Sequence, residues 1–127
     1  MLKKYDMKCV LIVDDIEEYL DTIKGFIEDD FKSFKARNLQ EAKEIIERET
    51  IDIALIDIRL DENDPENKEG LDLLKWIREK QPDLPVVVMS AYREFDYAVE
   101  ALNLGAKYFI KKPVNPEELL RILKELI

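Results

Sequence analysis

Five polar residues of this chain stand where short apolar runs end. Asp14 and Asp15 follow one such run, and Asp57, Ser90 and Lys112 each end or follow another. Short runs of aliphatic and β-branched residues separated by helical patterns predict buried parallel strands. In open α/β sheets, ligands bind beyond the carboxyl ends of the strands. We therefore expect three carboxylates, a hydroxyl and an ammonium group to meet at one edge of one sheet.

The three aspartates could not share such an edge in their ionised form without a cation. Two carboxylates about 4 Å apart repel by roughly 4 kcal/mol at an effective dielectric constant near 20. Histidine is absent from the chain, which removes the commonest transition-metal ligand and the commonest general base. Oxygen ligands suit a hard ion such as Mg2+, for which Mn2+ could substitute. The sequence therefore predicts a Mg2+ site at Asp14, Asp15 and Asp57.

Mg2+ and Lys112 beside an open carboxylate predict phosphoryl transfer. Asp57 is the predicted nucleophile and would become an acyl phosphate. Lys112 and the cation would neutralise the incoming oxygens, and the Ser90 hydroxyl would hydrogen-bond one of them. Each residue also has a purely structural explanation, as a helix cap, a strand end or a surface lysine. Their joint placement at the ends of four strands favours the reactive site.

Strand-like and helix-like patterns alternate five times along the chain, which predicts a parallel sheet covered by helices on both faces. The predicted strands are Lys8 to Val13, Ser33 to Ala36, a run that ends at Asp57, Val86 to Met89, and Tyr108 to Lys111. Length and composition predict one soluble globular domain that spans residues 1–127.

The helices are predicted from apolar residues at helical spacing and from their terminal residues. Asn38 and Asn115 are expected N-caps, and Gly105 is an expected C-cap. The third helix is predicted from Gly70 to Lys80. The apolar residues expected on one side of the first helix are Ile16, Leu20, Ile23 and Ile27, and those of the fourth helix are Phe95, Ala98, Val99 and Leu102.

Charge and cysteine content narrow the function classes. The net charge of -9 opposes nucleic-acid binding, and no apolar run is long enough for a membrane helix. Cys9 is the single cysteine and the N-terminus lacks the apolar core of a secretory signal, so a reducing cytoplasm is expected.

An acidic segment, residues 58–69, joins the third strand to the third helix and is long for such a connection. It is interpreted as a solvated acidic loop. Calcium binding is the alternative, but Pro65 and Glu66 interrupt the EF-hand pattern.

Across nearly its whole length the sequence resembles the receiver domain of two-component response regulators. The matching pieces are Val13-Asp14-Asp15, Ile56-Asp57, Met89-Ser90-Ala91, and the run from Gly105 to Pro113. The expected fold is accordingly a doubly wound (βα)5, flavodoxin-like three-layer sandwich, whose parallel five-stranded sheet has the order 2-1-3-4-5. The resemblance implies that a histidine kinase or a phosphotransfer protein donates a phosphoryl group to Asp57.

The resemblance also assigns roles to individual residues. Asp15, Asp57 and the Arg59 carbonyl would bind Mg2+ directly, and Asp14 would act largely through water. The Lys112–Pro113 bond would be cis. Ser90 would move towards the phosphoryl group.

Further roles implied by the resemblance concern switching and rate. Phe109 would turn inward behind Ser90. Arg59 and Tyr92 fall where the family tunes phosphorylation and hydrolysis rates, and we expect this pair to shield the acyl phosphate.

Two features depart from the usual family pattern: the acidic segment is long, and Asp61 replaces a common proline.

Three hypotheses of function are open at this point. The leading one is a signalling phosphoacceptor that catalyses only its own Mg2+-dependent phosphorylation and dephosphorylation, and switches a downstream effector domain or protein. A receiver-like interaction module working without phosphate would be expected to have lost some of the site residues. The third is a Mg2+-dependent phosphotransfer enzyme on a related sheet, but an aspartate-nucleophile phosphatase of the haloacid dehalogenase type would need a second aspartate where Arg59 stands. By analogy with many receivers, a homodimer through the fourth helix, the fifth strand and the fifth helix is plausible.

Overall fold

The computed structural model describes residues 7–91 and 95–127, which form five strands and five helices in strict alternation. Among these residues no helix combines the length and apolarity that a membrane span needs. In chain order the elements are β1 (Cys9–Val13), α1 (Glu17–Ile27), β2 (Lys32–Ala36), α2 (Leu39–Arg48), β3 (Ile53–Asp57), α3 (Glu69–Lys80), β4 (Val86–Ser90), α4 (Phe95–Asn103), β5 (Tyr108–Lys111) and α5 (Pro116–Glu125).

The five strands form one parallel sheet with the order β2-β1-β3-β4-β5, so the predicted topology is confirmed. The chain first adds β2 on one side of β1 and then places β3 on the other side. The strand order therefore reverses at the pair β1 and β3. Crevices for ligands form at such a point, beyond the carboxyl ends of the strands.

Each face of the sheet packs against its own set of helices, as the alternating pattern predicts. One face buries apolar side chains of α1 and α5 against the sheet. The other face buries those of α2, α3 and α4. Strands covered on both sides are apolar at nearly every position, and β3 and β4 are buried along their whole length. The sheet edge is thereby held between two helical layers.

The predicted helix ends are confirmed by the structure. The side chain of Asn38 accepts a hydrogen bond from Glu41 N at 2.9 Å, and that of Asn115 accepts one from Glu118 N at 3.0 Å. Gly105 has a φ of 100°, the left-handed conformation that favours glycine after a helix. Element boundaries differ from the predictions by one residue, and β4 extends to Ser90 itself.

Helix α4 differs from the expected simple apolar side. Ala101 is fully buried, whereas the side chains of Val99 and Leu102 are 41% and 48% exposed. Apolar residues occur around much of this helix, so the spacing of apolar residues in the sequence did not identify which side of α4 faces the sheet. The structure thus leaves two large apolar side chains of α4 on the surface.

Candidate functional site

Lys112 joins two of the predicted aspartates at the carboxyl edge of the sheet. Its Nζ donates to Asp14 Oδ2 at 2.6 Å and to Asp57 Oδ2 at 3.0 Å. Asp14 directly follows β1, Asp57 ends β3 and Lys112 directly follows β5, so three strand ends converge on one ammonium group. The Lys112–Pro113 peptide bond is cis.

These groups are withdrawn from solvent. Asp14, Asp57 and Ser90 are the buried polar residues of the described chain, with exposures of 0%, 6% and 1%. Burial raises the pKa of Asp57 to about 7, against the attraction of Lys112, and the neighbouring Asp14 adds to the rise. Burial likewise raises the pKa of Asp14. For Lys112, burial opposes the charged form, but Asp57 and Asp14 outweigh it and hold its pKa above the usual value.

The donor set fits a hard divalent cation. Asp14, Asp15 and Asp57 each place one carboxylate oxygen within 4.8 Å of the others. Oxygen donors of this kind suit Mg2+ or Mn2+, and a cation would relieve the repulsion among three carboxylates near one lysine. Within the described residues this is the one group of three or more acidic side chains with this geometry.

The three aspartates are engaged to different extents. Asp14 accepts from Ile16 N through Oδ1 at 3.0 Å and from Lys112 through Oδ2, so both of its oxygens are occupied. Asp57 is engaged through Oδ2 by Lys112, and Asp15 through Oδ2 by the backbone N–H of Glu62. Asp15 and Asp57 therefore each keep one oxygen outside these hydrogen bonds, which favours them as direct ligands.

A cavity of about 510 Å3 opens beside these carboxylates. Its polar lining residues include Asp57, Ser90, Lys112, Arg59 and Glu62. Its apolar lining residues come from α1 and its N-cap and from the chain after β5: Ile16, which precedes α1, then Tyr19, Ile23, Phe26, Pro113 and Val114. The site can thus admit a partner with both a charged group and an apolar surface.

Ser90 and Phe109 lie on the neighbouring strands β4 and β5. The Ser90 hydroxyl makes one long hydrogen bond, 3.3 Å to Ala91 O, so it can accept a new partner at little cost. The Ser90 carbonyl accepts from Lys112 N at 2.8 Å, which joins the two strand ends. Phe109 is half-buried and packs against the core on the α2, α3 and α4 side. Tyr92 lies outside the described residues.

Three residues of the site were not singled out from the sequence. The ring of Tyr19 faces the Lys112 ammonium group, with 4.8 Å between Nζ and the ring centroid. Glu62 contacts Asp15 through its backbone. Gly70 packs against the backbone of Asp57. The chain has only three glycines, so the one beside the acidic segment could have predicted a close backbone contact at this position. The other two contacts left no signal in the sequence.

Comparisons with known proteins identify the family to which the chain is similar. The family model described as response regulator receiver domain matches residues 10–124. The response regulator protein PilR of Pseudomonas aeruginosa is 40% identical over 120 residues, covering 92% of this chain and 24% of PilR. The chain spans about a quarter to a third of the length of the first curated relatives that it matches.

Solved structures show the same fold. A CheY-like receiver domain protein from Methanospirillum hungatei aligns with a TM-score of 0.84 and 34% identity, covering 94% of this chain and 93% of that one. The receiver domain of NtrX from Brucella abortus aligns with a TM-score of 0.83 and 29% identity, covering 92% and 96%. The predicted flavodoxin-like fold is therefore confirmed.

Proposed function

Because this chain belongs to the response regulator receiver domain family, we propose that it accepts a phosphoryl group on Asp57 from a sensor histidine kinase or a phosphotransfer protein. The observation that carries the proposal is the buried Lys112 bridge between Asp14 and Asp57 beside the open cavity. In this proposal the domain modifies itself and does not turn over an outside substrate, and a family of signalling proteins supports it.

In the proposed reaction, a carboxylate oxygen of Asp57 attacks the phosphorus of a donor phosphohistidine. The O–P bond forms while the N–P bond breaks, and the imidazole leaves and takes up a proton. A divalent cation held directly by Asp15, Asp57 and the Arg59 carbonyl, with Asp14 acting largely through water, would supply positive charge that keeps these carboxylates ionised and offsets the charge of the transferred group.

Lys112 is proposed to hold the phosphoryl oxygens after transfer. Its ammonium group already lies 3.0 Å from Asp57 Oδ2, so a group joined to that carboxylate falls within its reach. The hydrogen bonds to Asp14 and Asp57 would be exchanged for bonds to a more highly charged partner. Charge-assisted bonds of this kind contribute roughly 1.5–3 kcal/mol each.

The switch is proposed to begin at Ser90. Its weakly bonded hydroxyl would turn to a phosphoryl oxygen, and Phe109 would move inward behind it. Moving a population from 1:99 to 99:1 requires about 5.5 kcal/mol, so Lys112 contacts or a partner surface would have to contribute as well. Val99 and Leu102 of α4 are exposed apolar side chains, which supports a binding surface on this helix. Its proposed partner is either a second copy of the chain, in a homodimer through α4, β5 and α5, or a downstream effector domain or protein.

Intact-mass measurement tests the proposal. The protein is incubated with acetyl phosphate and MgCl2, and one added phosphoryl group is expected. Asp57→Asn and an EDTA-treated sample should remain unlabelled. Asp61→Asn is the matched control, since this exposed aspartate of the neighbouring loop keeps its acceptor oxygen on substitution, and it should label like the wild type. An unlabelled wild type would refute phosphoacceptor function and favour the phosphate-independent interaction module. Labelling of Asp57→Asn equal to that of the wild type would refute Asp57 as the acceptor.

A further inference from the structure

The acidic segment 58–69 is built from two consecutive turns of the same design. In the first turn, the Asp61 carbonyl accepts from Asp64 N at 3.1 Å and its Oδ1 accepts from Asn63 N at 3.0 Å. In the second turn, the Asp64 carbonyl accepts from Asn67 N at 3.1 Å and its Oδ1 accepts from Glu66 N at 3.0 Å. The exposed aspartates therefore shape the backbone.

The side chain of Asn67 fastens the two turns to the body of the domain. Its Oδ1 accepts from Leu60 N and from Glu69 N, both at 3.0 Å, and its Nδ2 donates to Glu69 Oε1 at 2.7 Å. The base of the segment is closed by Gly70 N, which donates to the Ile58 carbonyl at 2.8 Å. The segment thus has a defined shape at its junction with α3.

This shape brings one backbone donor to the predicted metal site. Glu62 N donates to Asp15 Oδ2 at 2.8 Å, across 47 positions of sequence. Asp15 is half-buried and belongs to the cluster of three aspartates. Its second oxygen stays outside this hydrogen bond, so the contact orients the carboxylate and leaves a ligand atom available.

We propose that the turn 61–64 is a positioning element for the divalent cation, in which the Glu62 N–H holds Asp15 in its ligating orientation. Groups that hydrogen-bond a metal ligand orient it, and their removal typically lowers metal affinity about 10- to 100-fold. A carboxylate already held in place loses less freedom when the cation binds. The inference rests on the proposed Mg2+-dependent function and names what sets the Mg2+ affinity of that site.

Two substitutions at Glu62 separate the backbone donor from the side chain. Glu62→Pro removes the backbone N–H. The turn should tolerate this change, because Glu62 is residue i+1 of the first turn, a position that favours proline. Pro65 occupies the same position in the second turn. Glu62→Ala keeps the N–H and removes the carboxylate. Titration calorimetry with MgCl2 should give a dissociation constant raised about tenfold or more for Glu62→Pro. For Glu62→Ala it should stay within about twofold of wild type, since the N–H that holds Asp15 is intact.

A second pair of substitutions tests the fastening of the segment. Asn67→Ala removes the acceptor shared by Leu60 and Glu69 and should weaken Mg2+ binding in the same direction as Glu62→Pro. Asn63→Ala is the matched control, because Asn63 donates to Asp61 Oδ1 through its backbone N–H, which alanine keeps. Thermal unfolding in EDTA should place Glu62→Pro, Glu62→Ala and Asn63→Ala close to the wild type, and Asn67→Ala should still unfold in one cooperative transition, which separates a positioning effect from a loss of fold.

The outcomes distinguish this inference from the proposed function. A wild type that binds no Mg2+ would overturn both. A wild type that binds Mg2+ while Glu62→Pro binds it equally well would overturn the positioning element and leave the phosphoacceptor proposal standing. Equal weakening by Glu62→Ala and Glu62→Pro would assign the effect to the carboxylate and likewise overturn the backbone role.

Discussion

Gly70 of α3 packs so closely against Asp57 that a β-carbon at this position would overlap the Asp57 carbonyl oxygen. The same β-carbon would lie 2.7 Å from the Cα of Ile58. Both obstructing atoms belong to the backbone, so rotation of a side chain cannot relieve the overlap. The start of α3 is thus seated directly on the strand end that carries the proposed nucleophile.

Gly70→Ala is expected to disturb both stability and phosphorylation. Overpacking of this kind typically costs about 1–3 kcal/mol, and the displaced backbone carries Asp57 with it. Urea unfolding should report the loss, and labelling with acetyl phosphate should be slower. Gly25→Ala is the control: a β-carbon there meets nothing within 4 Å, and alanine in a helix is more stable than glycine by about 0.5–1 kcal/mol. Equal behaviour of the two variants would contradict the close-packing account.

The buried carboxyl of Asp57 should make the metal-free protein less stable as pH rises. Its pKa lies at about 7 in the folded protein because of burial, against an ordinary value of 3.8. Between those values the folded state retains a proton that the unfolded chain has lost, so the free energy of unfolding falls with increasing pH. At about 1.4 kcal/mol per unit, the loss approaches roughly 4 kcal/mol.

Urea unfolding in EDTA across this pH range measures the effect in wild type and in Asp57→Asn. The variant has no carboxyl at this position, so its stability relative to the wild type should increase steadily with pH. A constant difference between the two proteins would show that Asp57 titrates alike in the folded and unfolded states.

Lys112→Met is expected to destabilise the protein at pH 8. It leaves Asp14 and Asp57 buried without their shared counter-ion, and removal of one partner from a buried pair costs about 3–5 kcal/mol. The loss should shrink at acidic pH, where both carboxyls bind protons. Lys111→Met serves as the control, because this neighbouring lysine is exposed. A comparable loss of stability in both variants at pH 8 would show that removing any nearby positive charge destabilises the protein, and would argue against a specific role of the Lys112 bridge.

Arg59 is expected to lengthen the lifetime of the acyl phosphate together with Tyr92. Arg59 lines the cavity beside Asp57, where a bulky side chain limits the approach of water. The double variant Arg59→Ala, Tyr92→Ala should lose its phosphoryl group faster than the wild type when decay is followed by intact mass. A faster decay of the wild type would argue against shielding.

Most of the fold followed from local patterns. The Asn38 and Asn115 caps and the Gly105 C-cap depend on residues within a few positions, and buried parallel strands are recognisable as short apolar runs. The convergence of Asp14, Asp57 and Lys112 followed from one further rule, that parallel strands share a carboxyl edge. The roles assigned to Ser90, Phe109 and Arg59 stay predictions.

The sequence by itself determined the set of helices and strands and the strand ends that carry reactive side chains. The reason is that the spacing of apolar residues and the capping of helices are local properties of the chain. Only the tertiary structure decided the contacts between distant segments. The Glu62 N–H reaches Asp15 through a backbone group that every residue except proline carries, so no residue type marked it. Gly70 meets Asp57 through helix docking, and the exposure of Val99 and Leu102 depends on which side of α4 packs on the sheet. Such contacts depend on the positions of whole elements, which no periodic pattern records.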